Sequence, residues 1–238
     1  MQIHKRHPLI MGTFILTITG LISRVIGFFY RIYLARQFGE EGMGIYQLLS
    51  PVLALSFSLT AAAYQTAISK IVAAHAAKNN KASYLPLLAG ISISLPLSLL
   101  CSMGVFVLSD YIGIQLLQEE RTVSMLRNLS FSIPFSAVHS CINGYFYGLK
   151  KTAVPAIAQL IEQLARVGCV YGITLYAQGH GASPTINIAV LGLTVGEFIS
   201  MLVTILSVYY CYARDHHTGF ALSRYVSILP IYRDILAL

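Results

Sequence analysis

Long apolar stretches alternate with short polar segments along this chain. Six of the stretches can each cross a bilayer as a helix, since about 20 mainly apolar residues suffice at the rise of an α-helix. The pattern predicts an all-α integral membrane protein with one six-helix bundle over residues 1–213. The predicted transmembrane helices cover residues 9–36, 45–73, 85–109, 129–149, 153–177 and 186–213.

Residues 214–238 follow the sixth stretch with a different pattern. They begin with charged and polar residues, and the segment from Ser223 to Leu238 is amphipathic and then apolar. This apolar part is too short to span a bilayer. We therefore expect a cytoplasmic linker that leads into the start of a seventh helix.

The composition agrees with a membrane protein. Of the 238 residues, 56% are hydrophobic and 11% are charged, and the mean hydropathy is +0.68, which excludes an ordinary soluble domain. A signal peptide is the competing interpretation of the start, because His4, Lys5 and Arg6 precede an apolar run. That run is too long for a signal peptide and lacks a small-residue cleavage site.

The net charge of +7 has an uneven distribution that predicts the orientation of the helices. With the N-terminus in the cytoplasm, ten Lys and Arg residues fall on the inner side and three on the outer side, which is the positive-inside bias. The basic residues are thereby explained without nucleic acid as a partner. The inner residues are Lys5, Arg6, Lys70, Lys78, Lys81, Lys150, Lys151, Arg214, Arg224 and Arg233, and the outer ones are Arg36, Arg121 and Arg127.

Two arginines interrupt the first apolar stretch. Arg24 and Arg31 are nearly two helical turns apart, so both lie on one face, about 10 Å apart along the axis. An arginine at membrane depth costs about 2.5 to 3.5 kcal/mol and usually faces a bundle interior or a water-filled cavity. A guanidinium group donates bidentate hydrogen bonds to phosphate and stays charged when desolvated. The pair is therefore a candidate site for a diphosphate, with extension of Arg31 to the headgroups as the alternative.

A second group of charges lies in the fifth and sixth stretches. Glu162 and Arg166 stand in the favourable order for an ion pair between residues four apart, and Gln159 and Gln163 share their face. Self-pairing would make them a structural feature of the bundle, whereas exposure to a cavity would make them ligand-binding. Glu197 adds a carboxylate in the sixth stretch. Three arginines against two glutamates favour an anionic ligand.

The remaining reactive residues predict neither a metal site nor a catalytic one. The four cysteines, at 101, 141, 169 and 211, form no CxxC pair and no zinc-type spacing with histidine. His139 lies in the middle of a predicted helix, and we interpret it as a packing residue hydrogen-bonded to a neighbour, with a proton relay as the alternative. The sequence contains no Walker loop and no paired acidic motif for glycosyl transfer. We therefore predict a protein that is not an enzyme and needs no cofactor.

Three pairs of glycines have the four-residue spacing that lets membrane helices approach closely. They predict tight helix packing rather than a binding site. The pairs are Gly144 with Gly148, Gly168 with Gly172, and Gly192 with Gly196.

Two blocks of the sequence carry a family resemblance. The first is GLISRVIGFFYRIYLARQFGEEGMGIYQ from Gly20 to Gln47, with AISK from Ala67 to Lys70, and the second is NGYFYGLKKTAVPAIAQLIEQLARV from Asn143 to Val167. With these blocks the chain resembles the stage V sporulation protein B group of polysaccharide and lipid-linked oligosaccharide flippases. That group belongs to the MOP superfamily, which also holds lipid II flippases and MATE exporters.

The resemblance implies one lobe of a two-lobed, MATE-like fold in a bacterial cell membrane. Six-helix lobes of this family enclose a central cavity and rock to give alternating access. Lipid II flippase members place arginines of the first helix in the cavity: Arg24 matches the first, and Arg31 lies one residue later than the second. From their charge we assign Glu162, Arg166 and Glu197 to the same predicted cavity, and the second block of the resemblance contains the first two of them. The chain resembles the N-terminal lobe alone, so we expect a fragment, a truncated product or half of a split transporter.

The function that follows is translocation of a lipid-linked saccharide that bears a diphosphate, such as a peptidoglycan precursor for sporulation. Its partners would be the bilayer, that substrate and a C-terminal lobe on another chain. One alternative is an ion-coupled exporter of small molecules, which requires a mainly acidic cavity and is opposed by Arg24. The other is a non-transporting membrane protein, because one lobe cannot form a two-walled cavity.

Overall fold

The part of the chain that the structure describes is almost entirely helical. A computed structural model describes residues 7–79, 84–217 and 235, and within these ranges there is no strand. Two wide π-helical turns, at Ser58–Ala62 and Tyr111–Leu116, interrupt the α-helices. The α-helices are α1 (His7–Leu48), α2 (Ser50–Phe57), α3 (Ala63–Asn79), α4 (Leu85–Val107), α5 (Arg121–Ser130), α6 (Ser132–Gly148), α7 (Ala153–Gly179) and α8 (Asn187–His217).

Four helical stretches in the described part of the chain are long and apolar enough to cross a membrane. They are Phe14–Ala77, Leu85–Val107, Ala153–Gly179 and Asn187–Ala213. The first of them runs through α1, α2 and α3 and therefore contains most of the first predicted helix and all of the second. The predicted class, an all-α membrane bundle, is confirmed.

A glycine, rather than the predicted loop at residues 37–44, divides the first stretch. Gly39 has φ 73° and ψ 176°, which is not helical, while helical geometry continues beyond it to Leu48. Glycine occupies this part of backbone space at little cost because it has no Cβ. The second predicted helix then begins at Ser50, with Pro51 in its first turn, where the missing N–H would lack a partner anyway.

The irregularity within the second predicted helix lies at Ser58–Ala62, away from its proline. The Thr60 hydroxyl donates a hydrogen bond to the Ser56 carbonyl at 2.7 Å. The Ser94 hydroxyl of α4 donates one to the Thr60 carbonyl at 2.6 Å. Side-chain hydroxyls that bond to helical carbonyls compete with the backbone ladder. These two bonds account for the wide turn at this position.

The fourth predicted helix, at 129–149, is two helices in the structure. α5 ends at Ser130 and α6 begins at Ser132, with Phe131 between them. Pro134 lies in the first turn of α6, where proline is tolerated. Helical structure therefore begins at Arg121, ahead of the approximate start at 129 that the apolar pattern predicts, because an apolar pattern does not detect the charged turns of α5.

α6 lies at the centre of the bundle. It packs against α3 and α4 and against α8, while α7 packs between α8 and α1. One apolar cluster joins the ends of α3 and α6 to the start of α4, and includes Ile68, Leu87 and Phe146. A second cluster joins α1, α7 and α8. The order α3/α4, α6, α8, α7, α1 places the fifth and sixth predicted stretches between the core and the first helix.

Two of the three glycine pairs lie at close helix contacts, as predicted. A side chain at Gly144 would meet the carbonyl of Gln65 on α3, and one at Gly192 would meet α7. The third pair differs, since neither Gly168 nor Gly172 has a neighbouring atom within 4 Å in the described chain. That pair lies on a face of α7 that the described residues leave open.

The predicted linker and helix start at 214–238 fall largely outside the described residues. The backbone is described to His217 and again at Ile235. Ile235 is buried and packs with Ile71 of α3 and Ala89 of α4.

Candidate functional site

Arg24 and Arg31 lie on an exposed face of α1. Neither arginine forms an ion pair with another described residue. Large apolar side chains surround them: Leu21 is 63% exposed and Phe28 is 61% exposed. This surface, which we call the arginine face, is therefore cationic in an apolar setting, and the rest of the described chain does not cover it.

The neighbouring face of α1 fixes the rotation of the helix. Tyr30 and Leu34 are buried and pack with Val170 of α7. A Cβ on Gly27 would lie 3.5 Å from the side-chain nitrogen of Gln163, also on α7. Successive residues of an α-helix are 100° apart around its axis. Since Gly27, Tyr30 and Leu34 face α7, Arg24 and Arg31 lie at the edge of the α1–α7 interface.

Behind α1, four charged or titratable side chains meet between α6, α7 and α8. Arg166 donates a hydrogen bond from Nη2 to Oε1 of Glu162 at 2.7 Å, both on α7. His139 of α6 places Nδ1 at 3.1 Å from Oε2 of Glu197 on α8. One ligating atom from each of His139, Glu162 and Glu197 lies within 4.8 Å of the other two. We call these four residues the buried cluster.

The side chains of the buried cluster have little contact with solvent. Their exposed fractions are 11% for His139, 16% for Glu197, 16% for Glu162 and 19% for Arg166. The His139–Glu197 contact is short but poorly aligned, since neither facing atom makes a hydrogen bond of standard geometry with a described residue. The imidazole also lies against the backbone of Phe135, one turn earlier in α6. Both atoms therefore keep the capacity for a better-aligned partner.

A close helix contact brings the two carboxylates together. A Cβ on Gly196 would lie 3.1 Å from the carbonyl oxygen of Glu162, so a larger residue would hold α7 and α8 apart. One turn later, the Ser200 hydroxyl lies beside Glu162 and is itself buried. The small residues at 196 and 200 thus let Glu197 approach Glu162.

The arginine face and the buried cluster are separate but adjacent. The phenol of Tyr46 lies within electrostatic range of both Arg31 and Arg166. The phenol of Tyr30 is likewise within range of Arg166. Tyr46 therefore lies near both sets of charges, and Tyr30 lies near the buried cluster.

The sequence anticipated part of this arrangement. The Glu162–Arg166 ion pair is present as predicted, and His139 contacts a neighbouring helix as expected of a packing residue. The identity of its partner, the carboxylate of Glu197, was missed. A usable signal existed, since His139 and Glu197 lie at similar distances from the starts of two helices that run in the same direction. The structure does not bring Arg24 into contact with this cluster.

Charges at the predicted outer end of the bundle pair with each other. Arg121 of α5 contacts Glu41 of α1 at 2.7 Å, and Arg127 contacts Asp110 at 2.8 Å. All four side chains are largely exposed. The first pair places the end of α1 beside the start of α5, and the second joins α5 to the segment after α4. The side of the membrane on which they lie stays a prediction.

The comparison with protein families gives a match over most of the chain. The family described as polysaccharide biosynthesis protein matches residues 9–233. This range contains the arginine face and the buried cluster.

Three relatives from Bacillus subtilis are similar to this chain. Stage V sporulation protein B is 29% identical over 198 residues, which are 83% of this chain and 38% of the relative. The lipid II flippase MurJ is 24% identical over 207 residues, covering 82% of this chain and 38% of the relative. The sporulation protein YkvU is 24% identical over 217 residues, covering 86% of this chain and 43% of the relative. The chain thus spans about two fifths of the length of these curated relatives.

Proposed function

The chain belongs to the polysaccharide biosynthesis protein family, and from this premise we propose that it forms one lobe of a flippase for lipid-linked saccharides. The substrate class is a saccharide joined to a membrane lipid through a diphosphate. The name of one relative, a lipid II flippase, supports this class. The protein acts in the bacterial cell membrane with its N-terminus in the cytoplasm, in agreement with the distribution of Lys and Arg.

The observation that carries the proposal is the arginine face. A cation in an apolar setting is costly unless a polar partner or water receives it, and the described chain supplies no ionic partner to Arg24 or Arg31. A diphosphate is a suitable partner because guanidinium groups bind phosphate oxygens with charge-assisted hydrogen bonds. Exposed apolar groups such as Phe28 suit the lipid part of the same ligand.

Glu162, Arg166 and Glu197 are assigned a supporting role in this cavity. They lie behind α1, and the ion pair within α7 already uses Arg166 and Glu162 for each other. The phenol of Tyr46 lies within electrostatic range of both Arg166 and Arg31, so these charges lie close to the arginine face. They therefore shape the potential of the cavity wall, whereas Arg24 and Arg31 touch the diphosphate.

Transport requires a second lobe in this proposal. Alternating access arises when two repeats rock against each other around a central site. The arginine face is then one wall of the cavity, and the opposite wall comes from a segment that corresponds to the remaining length of the longer relatives.

The test is reconstitution in liposomes with a fluorescent undecaprenyl diphosphate sugar. The purified chain alone is compared with the chain co-expressed with the C-terminal lobe of a sporulation-type relative. We expect translocation only in the second case. Translocation by the 238-residue chain alone would refute the one-lobe proposal, and the absence of translocation from an assembled pair that binds the lipid would refute flipping as its activity.

A further inference from the structure

The buried cluster has a charge count that calls for one more positive charge. Glu162 and Glu197 contribute two negative charges, Arg166 contributes one positive charge, and a neutral His139 contributes none. The sum is −1. Uncompensated charge is expensive at membrane depth, and a buried charge without a partner typically destabilises a protein by several kcal/mol. A single added positive charge makes the cluster neutral.

The nature of that positive charge follows from the contacts. A divalent cation would change the sum to +1, and it would compete with the Arg166 guanidinium that already occupies Oε1 of Glu162 at 2.7 Å. A sodium ion prefers oxygen ligands, yet one of the facing groups is the imidazole of His139. A proton fits both conditions, since it adds one charge and binds to nitrogen.

We propose that the buried cluster is a proton-binding site in which one proton is shared between Nδ1 of His139 and Oε2 of Glu197. The two atoms are 3.1 Å apart and lack a well-aligned partner. A small rotation of the ring or of the carboxylate gives the alignment that an imidazolium–carboxylate hydrogen bond prefers. This assignment does not depend on the flippase proposal.

The groups that face His139 come from several helices. Glu197 of α8 and Glu162 of α7 act on it directly, and Arg166 acts through Glu162. α2 and the wide turn after it contain no acidic or basic residue. α3 and α4 pack on α6 through apolar clusters whose titratable side chains are tyrosines and cysteines, namely Tyr46, Tyr64, Tyr84, Cys101, Cys141, Tyr145 and Cys211. The two carboxylates are therefore the dominant electrostatic influence on the imidazole.

The location of the site gives the proton a structural consequence. His139, Glu162 and Glu197 lie on three different helices, and Gly196 lies at the close contact of α7 and α8 beside the two carboxylates. Loss of the proton leaves two carboxylates against one guanidinium at this junction. Release of the proton therefore weakens the contact of α8 with α6 and α7, and its uptake tightens that contact.

The direct test measures the charge state of His139 in the full chain. The ring nitrogens are labelled with ¹⁵N, and the chain is studied in lipid nanodiscs at neutral pH. We expect an imidazolium signal from His139 that is lost in Glu197→Gln, because that variant makes the cluster neutral without the proton. His180 is an internal reference because it is exposed and lies outside the buried cluster. Its Nδ1 lies 2.9 Å from the Tyr176 carbonyl oxygen. Glu41→Gln is the matched control, because it removes a carboxylate from an exposed pair.

A second measurement covers variants that fold poorly. Thermal unfolding is followed between about pH 5 and 8, the range in which histidine usually changes charge. We expect His139→Gln to be less stable than the double variant His139→Gln/Glu197→Gln, whose cluster is neutral. A neutral His139 with both carboxylates ionised would overturn the proposal. So would a signal unchanged by Glu197→Gln, or stabilisation by Zn²⁺ or Na⁺ that is independent of pH and lost in these variants.

Discussion

The arginine face of α1 and the buried cluster of α6, α7 and α8 hold their charges in opposite ways. In the cluster, Arg166 has a carboxylate at 2.7 Å and is only 19% exposed. On the arginine face, Arg24 and Arg31 are exposed and form no ion pair with a described residue. Both regions carry arginine in an apolar stretch of sequence. The two regions differ in whether another residue of the bundle forms an ion pair with the arginine.

This difference separates structural charge from charge available to a ligand. A self-satisfied buried pair stabilises the helix contact in which it lies, and its removal is felt in folding. An exposed cation contributes little to folding and keeps its hydrogen bonds for another molecule. The two regions should therefore respond differently to the same substitution.

The largest effect on stability is expected from Arg166→Gln. It leaves Glu162 and Glu197 as two buried carboxylates, and breaking a buried pair typically costs about 3–5 kcal/mol. Glu162→Gln should cost less, because the carboxylate of Glu197 lies nearby. The double variant Glu162→Gln/Arg166→Gln should regain part of the loss. Unfolding free energies in detergent provide the check, and equal losses for both single variants without rescue would contradict the charge argument.

A smaller effect is expected when alanine replaces a glycine at a close contact between two helices. An alanine at Gly192 would meet Val170 and the Arg166 carbonyl, and one at Gly144 would meet the backbone of Gln65. Overpacking of this kind costs about 1–3 kcal/mol.

Gly168→Ala is the matched control for both alanine variants, since no described atom outside its own helix turn lies within 4 Å of a Cβ at that glycine. It should leave stability unchanged or raise it by up to about 1 kcal/mol, because alanine is the better helix former. The unfolding temperatures of the variants at 144, 168 and 192 provide the comparison. A loss at 168 equal to that at 192 would mean that the open face of α7 is covered.

The exposed pair of Arg121 and Glu41 should contribute little. Its side chains are 64% and 75% exposed, and surface ion pairs typically add about 0–1 kcal/mol that salt reduces further. A double-mutant cycle with alanine at both positions measures this contribution. A coupling as large as that of Glu162 with Arg166 would remove the distinction between buried and exposed charge.

The smallest effect on stability is expected from Arg24→Gln and Arg31→Gln. Neither side chain holds a described residue in an ion pair, so the unfolding temperature should stay within the error of the measurement. A loss comparable to that of Arg166→Gln would show that the arginine face has a structural partner.

The sequence predicted the helices better than it predicted the contacts between them. Apolar length and the spacing of Glu162 and Arg166 depend on residues close together along the chain, and both predictions hold. The partnership of His139 with Glu197 depends on which helices are neighbours, and periodicity does not carry that information. The Gly39 break was missed because a single glycine between helical segments looks like a loop. The roles of Arg24 and Arg31 remain predictions, because a ligand defines them.

The measurement that tests the central claim most directly is lipid binding by arginine variants of α1. The chain is assembled with its second lobe, and the affinity for a fluorescent undecaprenyl diphosphate sugar is measured for Arg24→Gln and for Arg36→Gln. Arg36 is exposed on the same helix but about 120° around it from Arg24. Loss of a charged hydrogen bond worth about 1.5–3 kcal/mol predicts affinity roughly 10 to 150 times weaker for Arg24→Gln. The Arg36→Gln variant should bind as the unchanged chain does, and equal affinities for the two variants would contradict the account.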